Sequence, residues 1–439
     1  MAARPAQAWP RSPACPMENT MNHLIIGNGP AGVIAAETLR KYAPRDEVVL
    51  LGDEDEPCYS RMAIPYLLMG NIGEEGTWLR KDPEHFRRLG IRQEHGRAQL
   101  IDAVGRVVRL DDGRELAYDR LLLATGSTPV TPPVPGMNSA GVHACWTMED
   151  ARHIMQLARP GARVLQMGAG FIGCIIMEAL AARGVDLTVV EMGDRMVPRM
   201  MGPGAGNMIR AWCQQKGVTV HTSTWVEAIA PGAPLRVTLS SGETLAADLL
   251  ISATGVRPNV GIARESGIHC KEGVLVDSAM QSSVPGIYAA GDCAEAWDSA
   301  TGHTVVSAIQ PNAVEQARCA AMNMAGRPLR MDQVAQLNVL DTLGLISTSF
   351  GRWDGVPGGD HAELIDAPAF RFLRLEFDGD RLIGSNAVGH VQHAGVLRGL
   401  IGQKVRLGSW KDKLKEDPTR LMEAYIACAQ QQHAWQHAH

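Results

Sequence analysis

The sequence predicts an α/β protein in which one strand–turn–helix–strand unit occurs twice, followed by a smaller α+β domain. Three observations predict it. Two glycine-rich turns, Gly27-Asn28-Gly29-Pro30-Ala31-Gly32 and Gly168-Ala169-Gly170-Phe171-Ile172-Gly173, each follow a short apolar run and precede a helical one. Each unit then closes on an acid, Asp53-Glu54 in the first and Glu191 in the second. From about Leu337 the pattern changes, and Phe370 to Phe377 alternates in the manner of an antiparallel strand.

The first unit opens on the apolar strand His23 to Ile26, with a helix expected over Val33–Lys41 and a second strand over Val48–Leu51. Ala98 to Tyr118 is alternating and rich in turn residues, which predicts a small β excursion. Asp119 to Gly126 reads as a buried strand ending in Ala124-Thr125-Gly126. Pro129 to Pro135 is a proline-rich linker. The order then repeats: a strand over Arg163–Met167, a helix over Cys174–Arg183 and a strand over Leu187–Val190. Ile251 to Asn259 repeats the Ala-Thr-Gly ending at Gly255. Gly286 to Asp292 is another strand that ends in a carboxylate, placed to accept a hydrogen bond from a polyol. The expected domains are 21–140 joined by 260–332, then 141–259, then 333–429. A disordered leader (1–20) and a flexible, His-rich tail (430–439) flank them.

A lone Gly-x-Gly-x-x-Gly run says little, but here each copy has a strand before it, a helix after it and an acid at the end of the next strand. The first glycine makes the tight turn, the second lets backbone N–H groups approach a pyrophosphate, and the third packs the helix on the strand. The pyrophosphate then rests at a helix N-terminus, where unpaired N–H groups and the helix dipole favour anions. Both units therefore read as Rossmann-like dinucleotide-binding domains. The acids read riboses, since a carboxylate accepts bonds from ribose hydroxyls and repels a 2′-phosphate. Glu191 thus favours NADH over NADPH, although Arg195 and Arg199 lie close by in sequence. In the first unit Glu54 is the preferred ribose reader and Asp53 the second choice.

Composition narrows the partners. The 439 residues carry 42 basic and 47 acidic side chains with no basic block, which argues against nucleic acid. The nine cysteines are scattered and form no Cys-x-x-Cys pair, which argues for a reducing, cytoplasmic setting and against a disulfide framework or a metal site. No apolar run is long enough for a membrane span.

The two turns, the two Ala-Thr-Gly endings and Gly286–Asp292, in this order, resemble the two-dinucleotide flavoprotein reductases of the glutathione-reductase-like group. The nearer resemblance is to the branch of NADH:rubredoxin and ferredoxin reductases, NADH oxidases, the flavin part of assimilatory nitrite reductase and apoptosis-inducing factor. The resemblance implies FAD in the first domain, held by Gly27, Gly29, Pro30, Ala31 and Gly32, with Glu54 or Asp53 on the adenosine ribose. It further implies Ala124, Thr125 and Gly126 packed against the FAD, and Gly291-Asp292 on the ribityl chain. A helix beginning near Ala313, just after Asn312, would face the flavin pyrimidine. NADH would lie on Gly168, Gly170, Phe171, Ile172, Gly173, Glu191 and Gly255. A hydride would pass from the nicotinamide to flavin N5, so the flavin carries the chemistry and no catalytic side chain is required. The third domain resembles the interface domain that forms homodimers in this group.

The chain also departs from these relatives. There is no Cys-x4-Cys redox pair, and Met62 stands where CoA-disulfide reductases and NADH peroxidases carry their single redox cysteine. Cys58 and Cys293 read as packing residues. Pro57-Cys58-Tyr59-Ser60-Arg61 resembles the run preceding the flavin in ferredoxin and rubredoxin reductases, which makes Arg61 a flavin-side candidate. The Lys–Glu pair of those enzymes is replaced by Tyr66 and Ile175. Trp353, Phe370, Phe372, His390 and His393 read as core or interface residues, with an acceptor approach as the alternative. On a helix, His390 and His393 would share a face. The leading expectation is electron delivery to a ferredoxin- or rubredoxin-like protein. The alternatives are an NADH oxidase or quinone-type reductase, and an NADH-sensing protein or flavin subunit of a larger complex.

Overall fold

The computed structural model describes residues 20–298, 302–331 and 337–436. Its first sheet is parallel, with strands in the order Ile287–Ala289, Arg120–Leu123, Asn22–Ile26, Glu47–Gly52 and Ile91–His95. The second is also parallel, ordered Thr219–His221, Asp186–Val190, Arg163–Met167, Leu249–Ser252 and Val142–Ala144. The central strands are mostly apolar because both faces of each sheet are covered, and Ile25, Leu50, Leu122, Val189 and Ile251 are buried. In the second sheet Leu165, Met167 and Leu250 pack on the antiparallel insert rather than on a helix. A three-stranded antiparallel insert decorates each domain, Ala98–Ala117 in the first and Val226–Ala247 in the second.

The chain crosses between the two domains on a pair of antiparallel strands, Ser127–Pro129 going out and Val256–Pro258 coming back. The return delivers Ile287–Ala289 to the edge of the first sheet. A third, antiparallel sheet follows, ordered Leu337–Thr342, Leu345–Gly351, Arg381–Val388, Arg371–Asp378 and Asp360–Asp366. One face of this sheet packs Phe350, Leu375 and Phe377 against Leu397, Leu400 and Leu414 of its own helices. The other places Phe372 and Val388 in the core of the second dinucleotide domain, with Met201, Ala205 and Ile209.

Several boundaries differ from the sequence reading. The helices after the glycine-rich turns are Pro30–Tyr42 and Phe171–Ala182, each starting three residues early. The second glycine of each motif, Gly29 and Gly170, is the N-cap, so the last half of each motif is already helical. The helix expected near Ala313 begins at Gln310, with Pro311 in its first turn, where proline's missing N–H costs nothing. His390 follows a strand, and His393 precedes the helix Ala394–Gly402, so the two do not share a helix face. The segment expected as a flexible tail is helical to Gln436, continuing the helix anchored by buried Leu421 and Ala424. The leader, apart from Thr20, and the last three residues lie outside the described residues.

Candidate functional site

The two glycine-rich turns are built alike. Gly27 has φ +111°, and a Cβ there would lie 2.0 Å from the Ala124 carbonyl oxygen. Gly168 has φ +96°, and a Cβ there would lie 2.4 Å from the Ala253 carbonyl oxygen. Each first glycine is thus pressed against the backbone of the alanine in an Ala-Thr-Gly ending, the same contact in both domains. Each third glycine closes on the first: a Cβ on Gly32 would meet the Gly27 carbonyl, and one on Gly173 the Gly168 carbonyl. Of the six glycines in the two motifs, Gly29 and Gly170 alone face open space. No side chain caps either helix, so the first-turn N–H groups are presented to whatever lies in front of Gly29 and Gly170.

At the first turn, Gly291 (φ +81°) packs beside Ala31 and Ala313, which brings the end of the strand Ile287–Ala289 against both helix starts. Asp292 follows and accepts a 2.7 Å bond from the Ser127 hydroxyl. Burial pushes the Asp292 carboxyl above its usual range, while the Ser127 bond and the nearby Arg61 charge oppose that shift. Gly126 has φ +67°, and Thr125 bonds Asn259 through both its hydroxyl and its carbonyl. Asn312 is buried in the first turn of the helix Gln310–Met324 and donates to Ser307.

Asp53 and Glu54 follow the second strand. Glu54 does not stand free, since its two carboxylate oxygens take Arg61 and the Tyr59 hydroxyl at 2.6 Å each. Arg61 also donates to Tyr59 and to the Trp146 carbonyl, and it lies 5.4 Å from each of their ring centroids. The indole N–H of Trp146 reaches the Ser127 carbonyl. The Glu54 and Arg61 assigned to opposite ends of one ligand therefore belong to a single cluster, which the sequence reading did not foresee.

At the second turn, Glu191 is buried and turns inward. Its two carboxylate oxygens accept 2.7 Å bonds from the backbone N–H groups of Ala169 and Gly193. Arg195 is occupied by Asp194 and by the carbonyls of Met201 and Pro198. Its guanidinium is engaged inside the loop, which supports a ribose with a free 2′-hydroxyl over a 2′-phosphate. Phe171 and Ile172 form the first helical turn, and Gly255 has φ +114° facing open space.

Cys58 is buried with its thiol pushed up to about 11 by desolvation. Cys293 is buried and donates to the Leu123 and Ala290 carbonyls. Neither is poised as a thiolate. Met62 and Tyr66 are exposed on the segment that also carries Arg61. Phe372 is buried, and Phe370 packs edge-on against Trp212. Among the described residues, no three metal-binding side chains cluster, and no helix is long and apolar enough to cross a membrane.

Four residues escaped the sequence reading. Ser127 and Trp146 link the Ala-Thr-Gly ending to Asp292 and Arg61. Asn259 clamps the crossing strands through Thr125 and Thr128. Gln316 accepts from the Gly291 N–H. Apart from the bonds of Trp146 to Ser127 and Asp150, their partners here are 25 or more positions away, beyond the reach of a local pattern.

This arrangement has counterparts among known proteins. A family model described as pyridine nucleotide-disulphide oxidoreductase matches residues 21–322. An NADH oxidase of Methanocaldococcus jannaschii is 34% identical over 75% of this chain and 77% of its own. The epsilon subunit of NADH-dependent phenylglyoxylate dehydrogenase from Aromatoleum evansii is 29% identical over 92% of this chain and 97% of its own. Among solved structures, a chain of the covalent putidaredoxin reductase–putidaredoxin complex matches with TM-score 0.87 and 25% identity, covering 94% of this chain and 100% of that one.

Proposed function

This chain belongs to the pyridine nucleotide-disulphide oxidoreductase family, and on that premise we propose that it carries electrons from NADH through FAD to a small redox protein. It is an NADH-dependent flavoprotein oxidoreductase. The observation that carries the reading is the paired construction of the two turns: Gly27 on Ala124 and Gly168 on Ala253, with Gly29 and Gly170 left open. Two pyrophosphates fit two such cradles in one chain.

We assign FAD to the first cradle. Gly29, Pro30, Ala31 and Gly32 would hold its pyrophosphate, Asp292 its ribityl chain, and Thr125-Gly126 would pack beside it. Asp53 is then the freer candidate for the adenosine ribose, because Glu54 is engaged by Arg61 and Tyr59. We assign NADH to the second cradle, with Glu191 at its adenosine ribose. FAD, when bound, takes up two electrons as a hydride and releases them one at a time. The chain's own tasks are to bind, to orient and to exclude water. Ser127 orients Asp292, and the positive end of the helix Gln310–Met324 favours negative charge in front of it.

A redox-protein acceptor is supported by the near-complete match to a chain of a reductase–redoxin complex. The test is anaerobic reduction by NADH, then mixing with a ferredoxin, a rubredoxin or air while flavin absorbance is followed. Reoxidation by a carrier protein faster than by air is the expected result. A second reading, a flavin subunit of a larger enzyme, is favoured by the match to the epsilon subunit over 97% of its length. Co-purification with other subunits at fixed stoichiometry would select it. We further expect a cytoplasmic homodimer. The free cysteines support that setting, and exposed Val339, Ile346 and Ile365 on the third sheet support an interface.

A further inference from the structure

The loop that follows Glu191 is held from two sides. At one side the Val197 N–H donates 2.8 Å to the Ala169 carbonyl, inside the second glycine-rich turn. The same Ala169 donates its N–H to Glu191. At the other side stands Asn386, a fully buried residue of the third domain. Its Oδ1 accepts from the Gly202 N–H at 2.8 Å, and its Nδ2 donates to the Met200 carbonyl at 2.9 Å. A backbone N–H demands an acceptor and a backbone C=O a donor, so these partners fix the orientation of the amide. One side chain thus makes a two-point grip on the backbone of another domain.

The loop needs that grip. Val197 has φ +50°, a conformation that a β-branched residue adopts only under strain, and it is buried. Such strain persists only where the surroundings over-determine the backbone. Here the surroundings are Ala169 on one side, Arg195 bonding Met201 within the loop, and Asn386 on the other. The chain of contacts runs without a gap from Asn386 through Met200 and Val197 to Ala169 and Glu191.

We propose that Asn386 is a positioning residue for nicotinamide nucleotide binding, through which the third domain sets the affinity of the second cradle. The proposal rests on the assignment of that cradle to NADH. Asn386 touches no nucleotide; it holds the loop that keeps Ala169 and Glu191 in place.

The test uses the FAD-loaded enzyme with NAD+ as the equilibrium probe and NADH as the substrate. In Asn386→Ala, the Kd for NAD+ and the KM for NADH should rise about tenfold, since two buried hydrogen bonds are lost. The kcat at saturating NADH, the FAD content and the flavin absorption spectrum should stay at wild-type values. Trp212→Phe is the control. It removes the indole bonds to the Thr342 and Leu343 carbonyls at the same domain boundary but away from the loop, and it should leave NAD+ binding unchanged. Hydrogen exchange on the wild-type enzyme gives a readout that needs no variant. NAD+ should slow exchange in 196–202 and in 381–388, the strand carrying Asn386. Wild-type NAD+ affinity in Asn386→Ala, equal losses of NAD+ and FAD, or no response of 381–388 to NAD+ would each overturn the proposal. Failure of the wild-type enzyme to bind NAD+ at all would instead overturn the cradle assignment beneath it.

Discussion

Glu191 and Ala169 are joined by a 2.7 Å hydrogen bond from the backbone N–H of the glycine-rich turn to a buried carboxylate. The residue expected to read the ribose is therefore also a strut of the turn that holds the pyrophosphate. Replacing it should affect both. Glu191→Ala removes two charge-assisted bonds, each worth about 1.5–3 kcal/mol, and should raise the KM for NADH at least roughly tenfold. It should also narrow the preference for NADH over NADPH. Steady-state kinetics with both nucleotides checks this, and unchanged selectivity would remove Glu191 from the ribose.

The first cradle separates folding from binding. Gly27→Ala forces a Cβ into the Ala124 carbonyl at a positive φ and should destabilise the first domain by about 3 kcal/mol or more. Gly29→Ala meets no atom within 4 Å, so the fold should tolerate it while FAD affinity falls. Thermal melting of the apoprotein and FAD titration distinguish the two. Equal stability loss in both variants would contradict the open-cradle geometry.

Cys58→Ser should leave NADH-driven flavin reduction within roughly twofold of wild type, because a thiol raised by burial is not a thiolate at neutral pH. Stopped-flow absorbance under anaerobic conditions is the measurement. A loss of the reductive phase would reinstate cysteine chemistry.

Glu37 gives a pH prediction away from the site. Burial works against its charge, but bonds from Arg80 at 2.5 Å and 2.6 Å and from His85 at 2.7 Å outweigh that and hold its carboxyl below the usual value. A carboxylate with a depressed folded pKa stabilises the fold above its ordinary pKa, and that contribution is lost as pH falls through the depressed value. Glu37→Gln should therefore lower stability by about 1 kcal/mol at pH 7, with the gap to wild type closing in acid. Melting temperatures of both proteins from pH 7 down to pH 3 test the sign.

How far the sequence could be read is clearest at particular residues. The strand Arg163–Met167 and the acid at 191 were legible because period, turn chemistry and a terminal carboxylate are local signals. The helices begin three residues before the expected starts because Gly32 and Gly173 sit inside them, where their close packing leaves no room for a side chain. The partnership of Glu54 with Arg61 was missed because a side chain's partner is not encoded by strand-end position.

The order of elements, the two phosphate-cradling turns and the change to an antiparallel third domain follow from the sequence alone, since each depends on neighbours a few positions apart. Tertiary structure alone decided that Gly27 bears on Ala124, that Asn259 clamps the crossing strands, and that Asn386 grips a loop 184 and 186 positions away. The physical reason is range. Backbone preferences and periodicity act along the chain, whereas a hydrogen bond or a steric contact between remote residues exists only once packing has placed both groups within a few ångströms of each other.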